Sequence, residues 1–213
     1  MKKLRFALAV FVKTPGLSPI KTRLAKSIGE SQALKVYQKC LEMTQSKIDR
    51  LVVESSQIII PYWAVAEKEG LTDAHWKTWN RIYQGEGELG DRLSQVYDQL
   101  LCQFDGVILM GADSPLFPSA ELQDGISWLA NNEFGALVGP TLDGGYYSFG
   151  FRKPVPKSIW TSVPYSTSTT LASFLDLLPS QIEKKFLSKH WDVDTEDDFR
   201  RLEREVPDFM EGT

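Results

Sequence analysis

Four short apolar runs, spaced along the chain and separated by helical patterns, most constrain what this sequence can fold into. They are Arg5–Val12 and residues 57–61, 106–110 (GVILM) and 135–139 (GALVG). Short runs rich in β-branched residues with no polar alternation read as strands buried on both faces. Residues 32–48 place Leu34, Val36, Tyr37, Leu41, Met43 and Ile48 at three- and four-residue spacings, which is the stripe of an amphipathic helix. Residues 89–104 repeat it with Leu93, Val96, Tyr97, Leu100 and Leu101, and residues 121–130 with Leu122, Ile126 and Leu129. Buried strands alternating with such helices imply an α/β fold, a mostly parallel sheet with helices on both faces. "DGGYYSFGF" (143–151) then opens on a glycine pair and continues into alternating aromatic and small residues, a turn entering an antiparallel strand. Residues 157–178 read as interrupted helix, and "HWDVDTEDDFRRLERE" as a short strand followed by a helix capped by Thr195. With no repeat, linker or compositional break, residues 1–213 are expected to form one domain.

Composition narrows the function. The net charge is −4, which argues against a nucleic-acid sheath or a polybasic membrane anchor. "MKKLRFALAVFV" imitates the start of a secretory signal, yet Lys13 ends the apolar run without a cleavage site, so a first strand is expected. No stretch reaches the roughly 20 apolar residues of a membrane span. Cys40 and Cys102 lack a CxxC partner and are expected to be reduced, buried thiols of a cytoplasmic protein. Two histidines, His75 and His190, are too few for a histidine zinc site.

In an open parallel sheet the functional groups collect beyond the carboxyl ends of the strands, where the strand order reverses. The first run is followed by "KTPGLSPIKTRL", which concentrates Lys13, Lys21 and Arg23 in an otherwise acidic chain. The third is followed by "GADSPLFP", where Pro115 stops the ladder and leaves Asp113 at the strand edge. A carboxylate there suits Mg²⁺ or Mn²⁺, hard ions that share oxygen ligands with substrate phosphates; its alternative role is a helix cap. Asp192 and Asp194, two apart, would share one face of an extended segment and supply a further ligand, although Asp194 can also serve the helix that follows. Arg92 in "GELGDRL" can face the same cleft. Asp143 can orient or deprotonate an acceptor hydroxyl, while Gly144 and Gly145 let backbone approach a ligand; the alternative is a tight turn that Asp143 merely caps. Neither GxxxxGK[ST] nor GxGxxG after a strand is present. Basic loop, strand-end carboxylate and downstream aspartate pair together point to a metal-bridged diphosphate.

"KTP…IKTRL" (13–24), "GELGDRL" (87–93), "LMGADSPLF" (109–117), "GPTLDGGYYSFGF" (139–151), "VPYST" (163–167) and "DVDTEDDF" (192–199) resemble one bacterial family. These are the glycosyltransferase-A-like proteins known as radical-SAM/selenodomain-associated transferases, related to nucleotide-diphosphosugar transferases and small nucleotidyltransferases. The resemblance implies a single Rossmann-like, nucleotide-binding α/β domain with a mixed sheet. It places Lys21 and Arg23 on the nucleotide phosphates, where the reading of the residues adds Lys13 and Arg92, and Asp113 with Asp192 or Asp194 on Mg²⁺ or Mn²⁺. It sets Asp143 as a catalytic group beside Gly144, Gly145 and Tyr146 at the acceptor. The chain departs from the family pattern at Ser18-Pro19, where the loop usually carries glycine, at Ser114 in place of a common cysteine, and at Tyr165 in place of a common tryptophan. The implied activity is metal-dependent glycosyl transfer from a nucleotide-activated sugar to a small-molecule acceptor. Nucleotidyl transfer from an NTP with pyrophosphate release is the alternative, and a non-catalytic nucleotide-binding module is a third reading favoured by Ser18-Pro19.

Overall fold

The computed structural model describes residues 3–210. Seven strands form one sheet: β1 (Arg5–Val12), β2 (Ile58–Val65), β3 (Asn80–Tyr83), β4 (Gly106–Gly111), β5 (Gly135–Pro140), β6 (Tyr146–Phe151) and β7 (Glu183–Phe186). Their order is β3-β2-β1-β4-β6-β5-β7. β1 to β4 run parallel, β6 is antiparallel to both its neighbours, and β7 is parallel to β5. The expected mixed, mostly parallel α/β sheet is therefore what the chain forms.

Alternation along β1 explains the layering. Phe6, Leu8 and Val10 point to one face, where α2 (Glu30–Glu54) and α4 (Ser119–Asn131) bring Tyr37, Leu41, Ile48, Ile126 and Leu129. Ala7 and Ala9 point to the other, where α3 (Leu89–Leu101), α5 (Lys157–Thr161) and α6 (Thr170–Leu177) bring Tyr97, Trp160 and Phe174. Small strand residues thus face the large aromatics, which keeps packing dense. A third cluster seats α7 (Glu196–Glu205) on α2 and α1 (Thr22–Ile28) through Phe199, Leu202, Val36 and Leu24. Among the described residues no helix is long and apolar enough to cross a membrane.

Several expectations are corrected. β2 continues past Pro61 to Val65, because β3 pairs only from Tyr62 onward and the missing N–H of Pro61 falls where β2 has a single neighbour. The short strand expected at "HWDV" lies earlier, at β7; His190 makes only an isolated bridge to Thr141. Cys40 is buried, but Cys102 is exposed just beyond α3; both thiols are free.

Register positions the site. Phe11 pairs with Gly111, so β1 and β4 end level and their loops leave the sheet side by side. β1 is also where the order reverses, with β2 on one side and β4 on the other.

The capping box of α7 holds its amino end next to this edge: the Thr195 hydroxyl accepts from the Asp198 N–H at 3.3 Å, and the Asp198 carboxylate accepts from the Thr195 N–H at 2.8 Å. Thr195→Ala is expected to cost about 1 kcal/mol. In a chain of this size that lowers Tm by about 2–4 °C, read by thermal denaturation.

Candidate functional site: a cleft at the ends of β1 and β4

A cleft of about 1120 Å³ opens beyond the carboxyl ends of β1, β2 and β4. Lys13, Lys21, Arg23, Arg92, Asp113 and Asp194 all line it. The sequence places these residues in four separate segments, and the fold brings them to one place.

The centre is an ion cluster. Lys21 caps α1 with a left-handed backbone (φ 44°, ψ 49°), and its side chain is only 2% exposed. Its ammonium lies 2.5 Å from Asp113 Oδ1 and 3.8 Å from Asp194 Oδ1. Burial acts to lower the Lys21 pKa, but the neighbouring carboxylates, Asp113 above all, outweigh it and hold the ammonium charged above the ordinary lysine range. Arg23, largely exposed, reaches Asp194 Oδ2 at 4.0 Å. The Val193 N–H donates to the Asp113 carbonyl at 2.9 Å and fastens the two aspartate segments together.

Asp192 and Asp194 have different partners: Asp194 faces Lys21, whereas Asp192 accepts from the Ser114 hydroxyl. Burial pushes the Asp192 carboxyl up to about 7, with the charges of Asp113, Asp194 and Asp143 adding to the effect and the Ser114 hydroxyl opposing it. Burial and Asp113 also raise Asp194, against the pull of Lys21 and Arg23. Asp192 is not part of the cleft lining.

No group of three or more His, Cys, Asp or Glu among the described residues is arranged to hold a metal ion. Two carboxylates, Asp113 and Asp194, nonetheless converge on a single cation, the Lys21 ammonium standing in for one. Two carboxylate groups suffice for Mg²⁺ or Mn²⁺ where phosphates and water complete the shell, so the donor set fits such an ion.

On the expected acceptor side, Asp143 takes the turn-capping role that the sequence also allows. Asp143 closes its own turn, accepting from the Thr141 hydroxyl at 2.5 Å and from the Gly145 N–H at 3.1 Å, outside the cleft lining. Gly144 (φ +92°) is glycine because a Cβ would lie 2.0 Å from the Ser168 carbonyl oxygen; the close approach is to the chain itself. The Gly144 carbonyl in turn accepts from the Leu171 N–H. The Tyr146 ring stacks on Phe174, and its buried hydroxyl lies against that of Tyr165. These residues brace the loop 164–170 and do not themselves border the cleft. What that loop does present is Ser166, at φ 60°. Lys21 and Ser166 are the two non-glycine residues with positive φ among those described, and both line this cleft. Backbone strain of this kind concentrates at functional sites.

Sequence reading missed the bracing of the basic loop. The Tyr37 hydroxyl accepts from the Lys13 N–H and donates to the Lys13 carbonyl, each at 2.9 Å. Buried Thr14 donates its N–H to the Glu67 carboxylate and accepts from the Trp76 indole. Lys13 Nζ reaches the Pro19 carbonyl at 3.5 Å, and Arg92 Nε donates to the Gly87 carbonyl at 2.9 Å. Tyr37, Glu67 and Trp76 lie far from the loop in sequence and follow no motif.

Because the Asp192 carboxyl is raised from its ordinary value of 3.8 to about 7, its contribution to stability is present below about pH 4 and lost as pH rises through 7. Asp192→Asn is therefore expected to leave Tm near wild type at pH 4 and raise it by several degrees at pH 8, as melts at the two pH values will show.

Solved structures share this fold. A candidate nucleotide-diphospho-sugar transferase from Desulfovibrio desulfuricans G20 is similar at a TM-score of 0.78 and 23% identity, over 94% of this chain and 87% of that one. CMP:2-keto-3-deoxy-manno-octonic acid synthetase, solved with CTP, is similar at 0.57 and 10% identity, over 95% and 98%. Rv0371c of Mycobacterium tuberculosis H37Rv, solved with manganese, is similar at 0.53 and 16% identity, over 96% and 100%. Comparison with curated proteins gives no significant match. The model of the family described as "Uncharacterized protein conserved in bacteria (DUF2064)" matches residues 52–167, and the chain belongs to that family.

Proposed function

We propose that this chain is a divalent-metal-dependent transferase that binds a nucleotide-activated sugar in the cleft at the ends of β1 and β4. The observation that carries this reading is the convergence of Asp113 and Asp194 on one cation, ringed by Lys13, Arg23 and Arg92, in a cleft of nucleotide size. Similarity to a candidate nucleotide-diphospho-sugar transferase and to a protein solved with manganese supports it.

In the proposed reaction an acceptor hydroxyl attacks the anomeric carbon of the donor sugar, its proton passing through solvent to the departing diphosphate. The bond from that carbon to the diphosphate oxygen breaks, and the nucleoside diphosphate leaves with the bonding pair. Mg²⁺ or Mn²⁺ held by Asp113 and Asp194 would stabilise the charge on that leaving group. Lys13, Arg23 and Arg92 neutralise the phosphates from the surrounding walls. The acceptor would approach along the wall carrying Ser166, which the Thr141–Gly145 turn holds in place.

Nucleotidyl transfer is a second reading, favoured by β4 ending in Gly111-Ala112-Asp113. Gly111 and Ala112 offer no ligand, so this strand end presents one carboxylate instead of a paired D-x-D. Similarity to a synthetase solved with CTP supports it.

The test is a screen of NTPs and nucleotide sugars with Mn²⁺, by thermal shift and then product analysis with small-molecule acceptors. Free nucleoside diphosphate is the expected product; pyrophosphate would establish the second reading, and metal-dependent binding without turnover would reduce the protein to a binding module. Asp113→Asn is expected to lower turnover about 100-fold or more. If Asp113→Ala retained metal-dependent nucleotide binding, the site would lie elsewhere.

A further inference from the structure

We propose that Lys21 is an internal counter-ion that keeps the metal position closed until a ligand's phosphates draw its ammonium away, so that nucleotide and divalent cation each favour the other's binding. The inference rests on the reading of the cleft given above and concerns how the same residues are regulated.

The geometry sets up a competition. The Lys21 ammonium lies 2.5 Å from Asp113 and 3.8 Å from Asp194, the two carboxylates that would hold the cation. A divalent ion taking an oxygen from either would meet that ammonium within a few ångströms, and two cations repel strongly at such range in a partly dry site. The lysine side chain is 2% exposed, so it cannot simply share the site by leaning into solvent. It is the buried cation shared by both carboxylates, and a metal ion must displace it.

A polyphosphate changes the balance. Its oxygens offer the ammonium a new acceptor in the same cleft that Lys21 already lines. The ammonium rides on a flexible four-carbon stem, so the move requires side-chain rotation only. Once it has moved, Asp113 and Asp194 are left with a deficit of positive charge that the metal fills. Arg23 contributes little to this lock, because it is 69% exposed and 4.0 Å from Asp194. Coupling of this kind is reciprocal: whatever factor nucleotide gives metal, metal gives nucleotide.

The test measures Mn²⁺ binding to nucleotide-free protein by electron paramagnetic resonance, for wild type, Lys21→Met, Lys21→Gln and Arg23→Ala. Circular dichroism and thermal melts confirm that each variant folds, and two Lys21 variants guard against one failing to do so. Removal of the ammonium is expected to tighten Mn²⁺ binding by about tenfold, within the ordinary range of such couplings, and Arg23→Ala to change it less than about threefold. Folded Lys21 variants that bind Mn²⁺ no better than wild type would overturn the proposal, as would an equal gain in Arg23→Ala. In a second arm, pyrophosphate binding to wild type is measured by calorimetry with and without Mn²⁺, corrected for chelation in solution. A gain of about fivefold or more with Mn²⁺ is expected, and binding unchanged by Mn²⁺ would overturn the coupling. Pyrophosphate that does not bind under either condition would count against the nucleotide reading itself, and the Mn²⁺ comparison between wild type and the Lys21 variants would still decide the counter-ion role.

Discussion

One buried ammonium between two carboxylates, Lys21 with Asp113 and Asp194, organises this end of the molecule. Its energetic balance is instructive. Removing an ion from water costs several kcal/mol even after relaxation. The attraction recovered is of similar size, about 4 kcal/mol for a pair at 4 Å in a medium of intermediate polarity. With Asp113 and Asp194 both partly exposed, screening reduces the gain further. The cluster is thus a poor way to stabilise a fold. Its position at a strand-order reversal, with a left-handed backbone at Lys21, makes more sense as preparation for a charged ligand.

The rest of the architecture holds that cluster in register. β1 and β4 end level because Phe11 pairs with Gly111, and from that edge the basic loop and Asp113 emerge together. Tyr37 clamps both backbone groups of Lys13, and Glu67 takes the N–H of Thr14, so the loop is fixed although it carries Gly16, Ser18 and Pro19. On the opposite side, α7 docks on α1 and α2 through Phe199 and Leu202 and brings the Asp194 segment against the Asp113 carbonyl. Stability of an ordinary core thereby becomes precision at a polar site.

Much of this was legible in the sequence, for physical reasons that differ by element. Central strands declare themselves because both their faces are buried, as in β1 and β4; the edge strand β7 (EKKF) does not, since a half-exposed edge tolerates charge and uses it to discourage unwanted pairing. Asp113 stood out as the polar residue at which an apolar run stops. The difference between Asp192 and Asp194 was hidden, because spacing by two predicts a shared face only in a regular strand, and residues 192–194 form none; their partners, Ser114 and Lys21, lie far off in sequence. The glycine pair at 144–145 was visible but its purpose was not: a backbone approaching a ligand and one approaching Ser168 require the same residue.

A cleft meant for an anionic ligand would be expected to carry a surplus of positive charge, and the inner part of this one does not. Asp113 and Asp194 line it, and together with Asp143 they act on Asp192 behind it, while buried Lys21 and exposed Arg23 oppose the charge around Asp194. Burial, with the charges of Asp113, Asp194 and Asp143 adding to it, pushes the Asp192 carboxyl up to about 7. Carboxylates do not attract phosphates. Their presence beside Lys13, Arg23 and Arg92, in a lining that also carries Glu67, Glu69, Glu86 and Glu88, is intelligible if a metal cation arrives with the ligand, its two charges shared between carboxylate and phosphate oxygens. On that view the carboxylates select the metal-bound form of the ligand, and Lys13, Arg23 and Arg92 select its phosphates.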